Sequence, residues 1–429
     1  MKSIKSHFIY FLILYVSLLT IVLGCSKSDS YVAVTQEPDA KMATYQTDKY
    51  VWEKMVRSFQ VKTEDPINLN WEFWSTTEHA YSNPCDSVSW PLDIVDVSEA
   101  TPKRVAILDG INNRPGNFIT TDFVFLTLNF TAPYYEELRI NKPMFEYIQK
   151  MELYNQNTVY DMAKTNAISF PSDAMMIKAQ WLPVDQLVEQ GKNVDAYYQK
   201  IISGYNAVDS TVTGKTNMGL VAFHLVTHEL PNWVWATFEH SSNIGLCDYI
   251  GCKDAFGCTP SYIPSHEEVN KGYTIGKTTP ELKALFKEFG VPSVFENYRL
   301  KGSQTEYTNT MGDTLLLGNS ILEANLVTSS SCISCHARAT VNNIKDSNGQ
   351  RGNLGMFIID SINNQVDLSS TIQFQRASDT TTLGFHPVTY SGTPIPEDYL
   401  TNASDPDATY YQTNFMWQLA QHAKPCQND

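Results

Sequence analysis

The sequence is short of positive charge. Its 429 residues include 31 Lys and Arg against 46 Asp and Glu, which gives a formal net charge of −15 at pH 7. Nucleic acids and anionic membrane surfaces attract basic proteins, so this balance argues against either of them as a partner. The acidity favours a basic protein as partner instead.

Internal repeats are also missing. No stretch of the sequence recurs at a fixed period, which excludes solenoid and propeller arrays. Hydrophobic residues make up 42% of the chain, a share typical of globular proteins that bury a core. With 429 residues the chain is long enough for one large domain or two of ordinary size.

The apolar run at the start of the chain is shorter than the roughly 20 residues that a membrane-spanning helix needs. Two lysines precede this run, Phe8–Leu23, and a glycine separates it from Cys25. A basic start, an apolar stretch and a small residue before the cleavage site are typical of an export signal. A cysteine in the next position resembles the bacterial lipobox, which implies a mature chain that begins at Cys25 and carries lipid there. We therefore expect a signal peptide over 1–24, a polar tether over 25–45 and a location in the cell envelope, facing the periplasm or the exterior.

Cysteines are few, and most of them stand apart from one another. In an exported protein such residues can pair as disulfides. The stretch "CDYIGCKDAFGC" (247–258) predicts one local disulfide within a Gly-rich loop. An odd number of cysteines remains when Cys25 and one C-x-x-C pair are set aside, so at least one thiol is left over and the connectivity stays open. These five are Cys85, Cys247, Cys252, Cys258 and Cys426.

Apolar residues alternate with polar ones in several segments, which indicates strands. Such segments cover 67–73, 120–130 and 174–184. The strongest pair is "MGLVAFHLVTHE" (218–229) and "WVWATFEH" (233–240), separated by three residues that include a proline. This pair predicts a β-hairpin.

Two helices are indicated by apolar residues at helical spacing. One is "KPMFEYIQKM" (142–151). The other follows Thr279, which can cap a helix, and Pro280, which suits the first turn; Gly290 and the next proline end it. The chain over 46–310 is therefore expected to be a mixed body of strands and short helices.

The residues "SSCISCHARA" (330–339) contain a C-x-x-C-H motif. On one helical turn, this spacing presents the sulfurs of Cys332 and Cys335 to one edge of a porphyrin, where they can form thioether bonds to its vinyl carbons. His336 then lies beneath the iron as an axial ligand. The motif predicts one covalently attached haem c. The export signal agrees with this, because haem is attached outside the cytoplasm.

The other interpretations of this motif have less support. A zinc ribbon needs a second C-x-x-C, and the sequence has none. A thioredoxin-like pair needs a strand in front of it, whereas Ile321, Leu322 and Leu326 fall at helical spacing and predict a helix leading into the motif. A surface disulfide between Cys332 and Cys335 remains an alternative.

The second axial ligand of the iron is not fixed by the sequence. Methionine raises the reduction potential, histidine lowers it, and an open position permits ligand chemistry. Met356 is the nearest downstream thioether and Met416 is the next, although methionine in apolar surroundings is usually core filling. His240, which ends the predicted hairpin, is a further alternative. His224 and His228 lie on the same hairpin, so the three histidines are also a weak candidate for a metal site.

Taken together, the chain resembles a group of large exported bacterial proteins of the cytochrome c family that carry a single haem and have no assigned activity. The resemblance implies haem attachment at Cys332 and Cys335 and iron ligation by His336; it gives no role for His240. It rests on four segments: "YYEELRINKPMFEYI" (134–148), "GLVAFHLVTHELPNWVWATFEHSSN" (219–243), "SSCISCHARA" (330–339) and "NFMWQLAQHA" (414–423).

We therefore expect an α+β protein, with a strand-rich body over 46–310 followed by a mainly helical, cytochrome c-like haem segment over 311–429. The expected function is single-electron transfer with a redox partner protein at the membrane to which the lipid anchors the chain. The size of the body keeps two alternatives open. One is a haem-dependent oxidoreductase whose body binds a small-molecule substrate. The other is a haem-based sensor or binding lipoprotein. Whether the chain is an enzyme therefore stays undecided by the sequence.

Overall fold

A computed structural model gives the fold. It describes residues 39–94, 135–203, 215–243, 246–247, 250–261, 274–311, 315–323, 330–353 and 408–426, together with the backbone of four short strands between 359 and 383. By internal contacts the chain divides into a unit before residue 42 and a larger one from residue 42 onward. Cys25, Met356 and the predicted strand 120–130 lie outside the described residues.

The fold is α+β, as expected. Helix α1 lies within the segment predicted as a tether, and the export signal lies outside the described residues. Within the described ranges, each helix falls short of the length and apolarity that a membrane crossing requires. The helices are α1 (Asp39–Tyr45), α2 (Thr47–Ser58), α3 (Thr77–Ala80), α4 (Lys142–Lys150), α5 (Gln156–Lys164), α6 (Val184–Glu189), α7 (Pro280–Phe289), α8 (Cys332–Ala337) and α9 (Trp417–Gln421).

The centre of the large unit is a seven-stranded antiparallel sheet in the order β3-β4-β5-β7-β8-β9, with β6 paired to the first part of β7. The predicted hairpin is confirmed as β7 and β8, whose register places Thr227 opposite Val234 and Ala222 opposite Glu239. The strands of this sheet are β3 (Ser75–Thr76), β4 (Tyr135–Ile140), β5 (Met175–Pro183), β6 (Gln199–Ser203), β7 (Lys215–Thr227), β8 (Val234–His240) and β9 (Tyr298–Gln304).

Four pairs of shorter strands form outside this sheet, and three of these pairs lie in 311–429. The described parts of this segment therefore contain strands as well as the helices α8 and α9. The pairs are β1 (Val61–Glu64) with β2 (Ile67–Leu69), β10 (Thr340–Asn342) with β15 (Tyr410–Gln412), β11 (Ile359–Asp360) with β12 (Gln365–Val366), and β13 (Phe374–Gln375) with β14 (Thr382–Leu383).

The two faces of the sheet bury two different cores. Because side chains alternate along a strand, Phe223 and Phe238 point to the first face, where they pack with Trp52 of α2 and Phe286 of α7. The second face is covered by α4, α5, α8 and α9. Its core contains Met176, Val226, Trp235, Met144, Ile148, Val159, Ile333, Ala337 and Leu419.

The predicted helices at 142–151 and 280–289 are confirmed as α4 and α7. The side chain of Thr279 accepts a hydrogen bond from the backbone N–H of Leu282, at 3.2 Å. Gly290 ends α7 with a φ of 63°, which a residue without a Cβ adopts most easily. The local signals at both ends of this helix were therefore sufficient to place it.

The predicted strand over 67–73 is wrong in its second half. Strand β2 ends at Leu69, and residues 70–73 form a 3₁₀ turn. The buried carboxylate of Glu72 accepts a hydrogen bond from the backbone N–H of Leu69, at 2.6 Å, and pairs with Lys200, at 2.8 Å. These long-range and local bonds fold the chain back, which alternation alone does not reveal.

The predicted helix ahead of α8 falls largely outside the described residues. The described part, 315–323, contains turns and irregular backbone. The side-chain oxygen of Asn319 accepts hydrogen bonds from the backbone N–H groups of Ile321 and Leu322, at 3.0 and 2.5 Å. This is the pattern of bonds that a helix N-cap residue makes. Leu326 lies outside the described residues.

Candidate haem attachment site

The C-x-x-C-H motif forms a helix of little more than one turn, α8. Cys332, Cys335 and His336 are separated by three and four positions, so they share one helix face. All three side chains are partly exposed, whereas Ile333 and Ala337 on the other side are buried in the core of the second sheet face. The two thiols and the imidazole therefore lie together on a half-buried face of α8, apart from its fully buried apolar side.

Both ends of α8 are held by side chains that are distant in sequence. At its start, the amide of Gln304, the last residue of β9, donates to the Ser331 hydroxyl, at 3.0 Å, and accepts from the N–H of Ile333, at 3.3 Å. At its end, the indole N–H of Trp417 donates to the carbonyl oxygen of Cys335, at 3.2 Å, and Gln412 donates to that of Ala337, at 2.9 Å. A short helix leaves many backbone groups without partners, and three of these bonds satisfy such groups, the N–H of Ile333 and the carbonyl oxygens of Cys335 and Ala337.

The imidazole of His336 is oriented by two contacts. Its Nδ1 lies 2.8 Å from the carbonyl oxygen of Phe415 and donates its hydrogen to it. Its ring lies 4.3 Å from the indole of Trp235 on β8, with the two planes at 45°. A hydrogen bond from one ring nitrogen to a backbone carbonyl places the lone pair on Nε2, the arrangement that metal-binding histidines use.

The two thiols are not joined to each other. Cys332 and Cys335 are both unbridged, as is Cys258. The Sγ of Cys332 lies 3.5 Å from the carbonyl oxygen of Leu317. Burial raises the pKa of both thiols of the motif, and the negative charge of Glu323 raises each further. The pair is therefore kept as protonated thiols at neutral pH.

The remaining cysteines form two disulfides. Cys247 pairs with Cys252, which confirms the local bridge expected within 247–258. Cys85 pairs with Cys426, across 341 positions of sequence. Cys258 is the thiol left over, and burial raises its pKa to about 12.

The described candidates for a second axial ligand lie in two different places. Met416 is fully buried in the core that also contains Ile333 and Ala337 and against which Cys332 packs. His240 is five residues from Trp235 on β8, which corresponds to about 16 Å along the strand and to the opposite face of the sheet.

His240 is engaged at both ring nitrogens. Nδ1 lies 2.7 Å from the hydroxyl of Ser242, and Nε2 lies 3.0 Å from the carbonyl oxygen of Ala196. The ring stacks on Tyr197 with 3.7 Å between centroids. Burial lowers the pKa of His240 to about 4. These contacts fix the ring of His240 at the end of β8 and use both of its nitrogen atoms.

The hairpin histidines also do not form a metal site. His224 lies 3.0 Å from the amide of Asn319, and His228 lies beyond the end of β7 with its ring 4.5 Å from that of Trp233. Across the described ranges, no group of three or more His, Cys, Asp or Glu side chains is arranged to hold a metal ion.

Several residues of this site carry no recognisable signal in the sequence. The ends of α8 are held by Gln304, Gln412 and Trp417, which lie 28 or more positions away in the sequence from the cysteines of the motif. The carbonyl oxygen of Phe415 acts through the backbone, so its residue type says nothing about the bond. Only the spacing of the motif itself could be found without the structure.

Comparison of the chain with protein-family models, with curated proteins and with solved structures finds no match.

Proposed function

We propose that this protein is an exported, lipid-anchored c-type cytochrome, with one haem attached to Cys332 and Cys335 and with His336 as axial ligand. The observation that carries the proposal is the arrangement of α8. Two unbridged thiols and a hydrogen-bonded imidazole share one face of this helix. Of the five other described cysteines, four are paired in disulfides and only Cys258 is not.

The donor set fits the cofactor. Two thiols three positions apart provide both thioether bonds, and an imidazole with its Nδ1 hydrogen donated elsewhere offers Nε2 to the metal. When bound, haem c supplies an iron that takes up and releases single electrons. The protein's own part is to hold the sulfurs and the imidazole in place on a helix whose apolar side packs in a core.

The finer division of the chain belongs to the same proposal. We infer that residues 311–429 are the cytochrome c-like segment, that 46–310 form the body against which it packs, and that Cys25 carries the lipid. Ile333 and Ala337 share a core with Met176, Val226 and Trp235 of the sheet, which supports a haem segment built onto the body. The acidity of the chain supports a basic redox partner in the cell envelope.

A direct experiment tests the attachment. The full chain is expressed in a host that exports it and attaches haem c, and the purified protein is boiled in detergent and extracted with acidified acetone. The proposal expects the red colour to stay with the polypeptide, with the mass increased by one haem. Colour that leaves with the solvent, or a chain of unmodified mass, would falsify it.

Ligand chemistry at an open iron position is the second candidate function. It is favoured by the place of His240, which lies on the face of the sheet opposite Trp235 and α8. It would make the protein a haem-dependent oxidoreductase with a small-molecule substrate, or a sensor. Carbon monoxide separates the candidates, because rapid binding to the reduced protein requires an open or weakly held sixth position, whereas a simple electron carrier binds it poorly.

A further inference from the structure

Charged side chains lie on the second face of the sheet, close to the thiols of α8. Lys178 on β5 and His224 on β7 are opposite one another in the strand register. Glu323, from the loop before α8, places its Oε1 3.5 Å from Nε2 of His224. Lys178 places its Nζ 3.5 Å from Oε2 of Glu136 on β4. These side chains are 9–19% exposed, so all four charges or potential charges are largely shielded from water.

The loop that carries Glu323 also contacts the motif. The carbonyl oxygen of Leu317 lies 3.5 Å from Sγ of Cys332. Two residues later, the backbone N–H of Asn319 donates to Oε2 of Glu323, at 2.7 Å, and the side-chain amide of Asn319 lies 3.0 Å from Nε2 of His224. The carboxylate is therefore fixed by the same short loop that lies against the first cysteine.

The fields of these two charges reach the sulfur of Cys332 with opposite sign. After burial, the negative charge of Glu323 raises the pKa of this thiol. The positive charge of Lys178 lowers the pKa of Cys332. Charges that are largely buried are screened by salt much less than exposed ones, so their effect persists at physiological ionic strength.

We propose that Glu323 and Lys178 set the reduction potential of the haem through their opposing fields at the attachment edge, an inference that rests on the proposed function. The ferric centre carries one positive charge more than the ferrous centre. A nearby carboxylate therefore favours the ferric form and lowers the potential, and a nearby ammonium group favours the ferrous form and raises it.

Two substitutions with opposite expected outcomes test this. In the full-length haem-loaded protein, Glu323→Gln removes a negative charge and is expected to raise the midpoint potential in a spectroelectrochemical titration at pH 7. Lys178→Met removes a positive charge and is expected to lower it. The control is Glu296→Gln, which also removes a paired carboxylate: Glu296 lies 2.8 Å from Lys283. Its neighbour Phe295 belongs to the core of the first face, on the other side of the sheet from α8. This control is expected to leave the potential unchanged.

The opposite signs distinguish an electrostatic role from a structural one. A disturbance of packing would move both variants in the same direction, and such a result, or unchanged potentials, overturns the inference. Circular dichroism and the absorption spectrum establish that each variant is folded and carries its haem. A wild-type chain without covalent haem overturns the proposed function and this inference together, whereas loaded variants with unmoved potentials overturn this inference alone.

Discussion

His336 donates a hydrogen bond to the carbonyl oxygen of Phe415 across 2.8 Å, although the two residues are 79 positions apart in the sequence. This bond joins the motif to the segment just before α9. Because the acceptor is a backbone atom, its position depends on the turn around Phe415, whose φ is 66°. The orientation of the candidate axial ligand is thus determined by the far end of the described chain.

Removing the imidazole is expected to change the iron's ligand field without releasing the cofactor. In His336→Gly the two thioether bonds remain, so haem staining after denaturing electrophoresis should persist while the absorption spectrum changes. Added imidazole should restore the wild-type spectrum by entering the vacated space. An unchanged spectrum in this variant would exclude His336 as ligand.

Replacing the two thiols is expected to abolish covalent attachment. Cys332→Ser with Cys335→Ser leaves no sulfur for a thioether, so the denatured chain should show no haem stain and no added mass. The matched control is Cys258→Ser, which removes the third unbridged thiol of the described residues and should leave the stain intact. Equal staining of all these variants would contradict attachment at α8.

Met416 is expected to act through packing. Its side chain is fully buried beside Ile333 and Ala337, so Met416→Ala should cost about 2–5 kcal/mol of unfolding free energy, as buried methionine truncations do. Denaturant unfolding measures this loss. The ferric spectrum should stay as in the wild type; conversion from low to high spin would instead identify Met416 as the second axial ligand.

His240 predicts a dependence of stability on pH. Burial lowers its pKa from 6.5 to about 4, so between these values the unfolded chain binds a proton that the folded chain does not. Its contribution to stability is present above pH 6.5 and is lost as the pH falls toward 4, by roughly 3 kcal/mol in total. His240→Gln should flatten this part of the profile. Unfolding free energies at pH 7, 5.5 and 4.5 give the comparison, and parallel profiles would refute the assignment.

The two disulfides are expected to differ in their effect on stability. The bridge between Cys85 and Cys426 closes a loop of 341 positions, whereas that between Cys247 and Cys252 spans only five. Because loop-closure entropy grows with loop length, Cys85→Ser with Cys426→Ser should cost about 2–5 kcal/mol, and the corresponding pair of substitutions at the short bridge should cost less. Thermal unfolding of the two double variants tests the order, and the reverse order would contradict this explanation.

Local signals predicted much of the sheet and its helices. The hairpin of β7 and β8, the caps of α7 and the short disulfide each depend on residues close together in the sequence, and each is confirmed. The predicted strand beyond Leu69 was wrong because the buried carboxylate of Glu72 binds the backbone N–H of Leu69 and folds the chain back.

The candidate site could be predicted only in part. The spacing of Cys332, Cys335 and His336 points to haem without any knowledge of the fold. The neighbours that hold this turn come from β8, β9 and the segment around α9, and the charges beside it come from β5 and the preceding loop. Their convergence depends on which sheet face α8 covers, and periodicity within single segments does not specify that.

The long disulfide also has a consequence for the order in which the protein can be assembled. Cys85 cannot be oxidised with its partner until synthesis has passed position 426, by which time every strand of the large sheet has been made. The turn that presents the Phe415 carbonyl is completed at nearly the same moment. The bridge can therefore close only after all the strands of the large sheet have been synthesised.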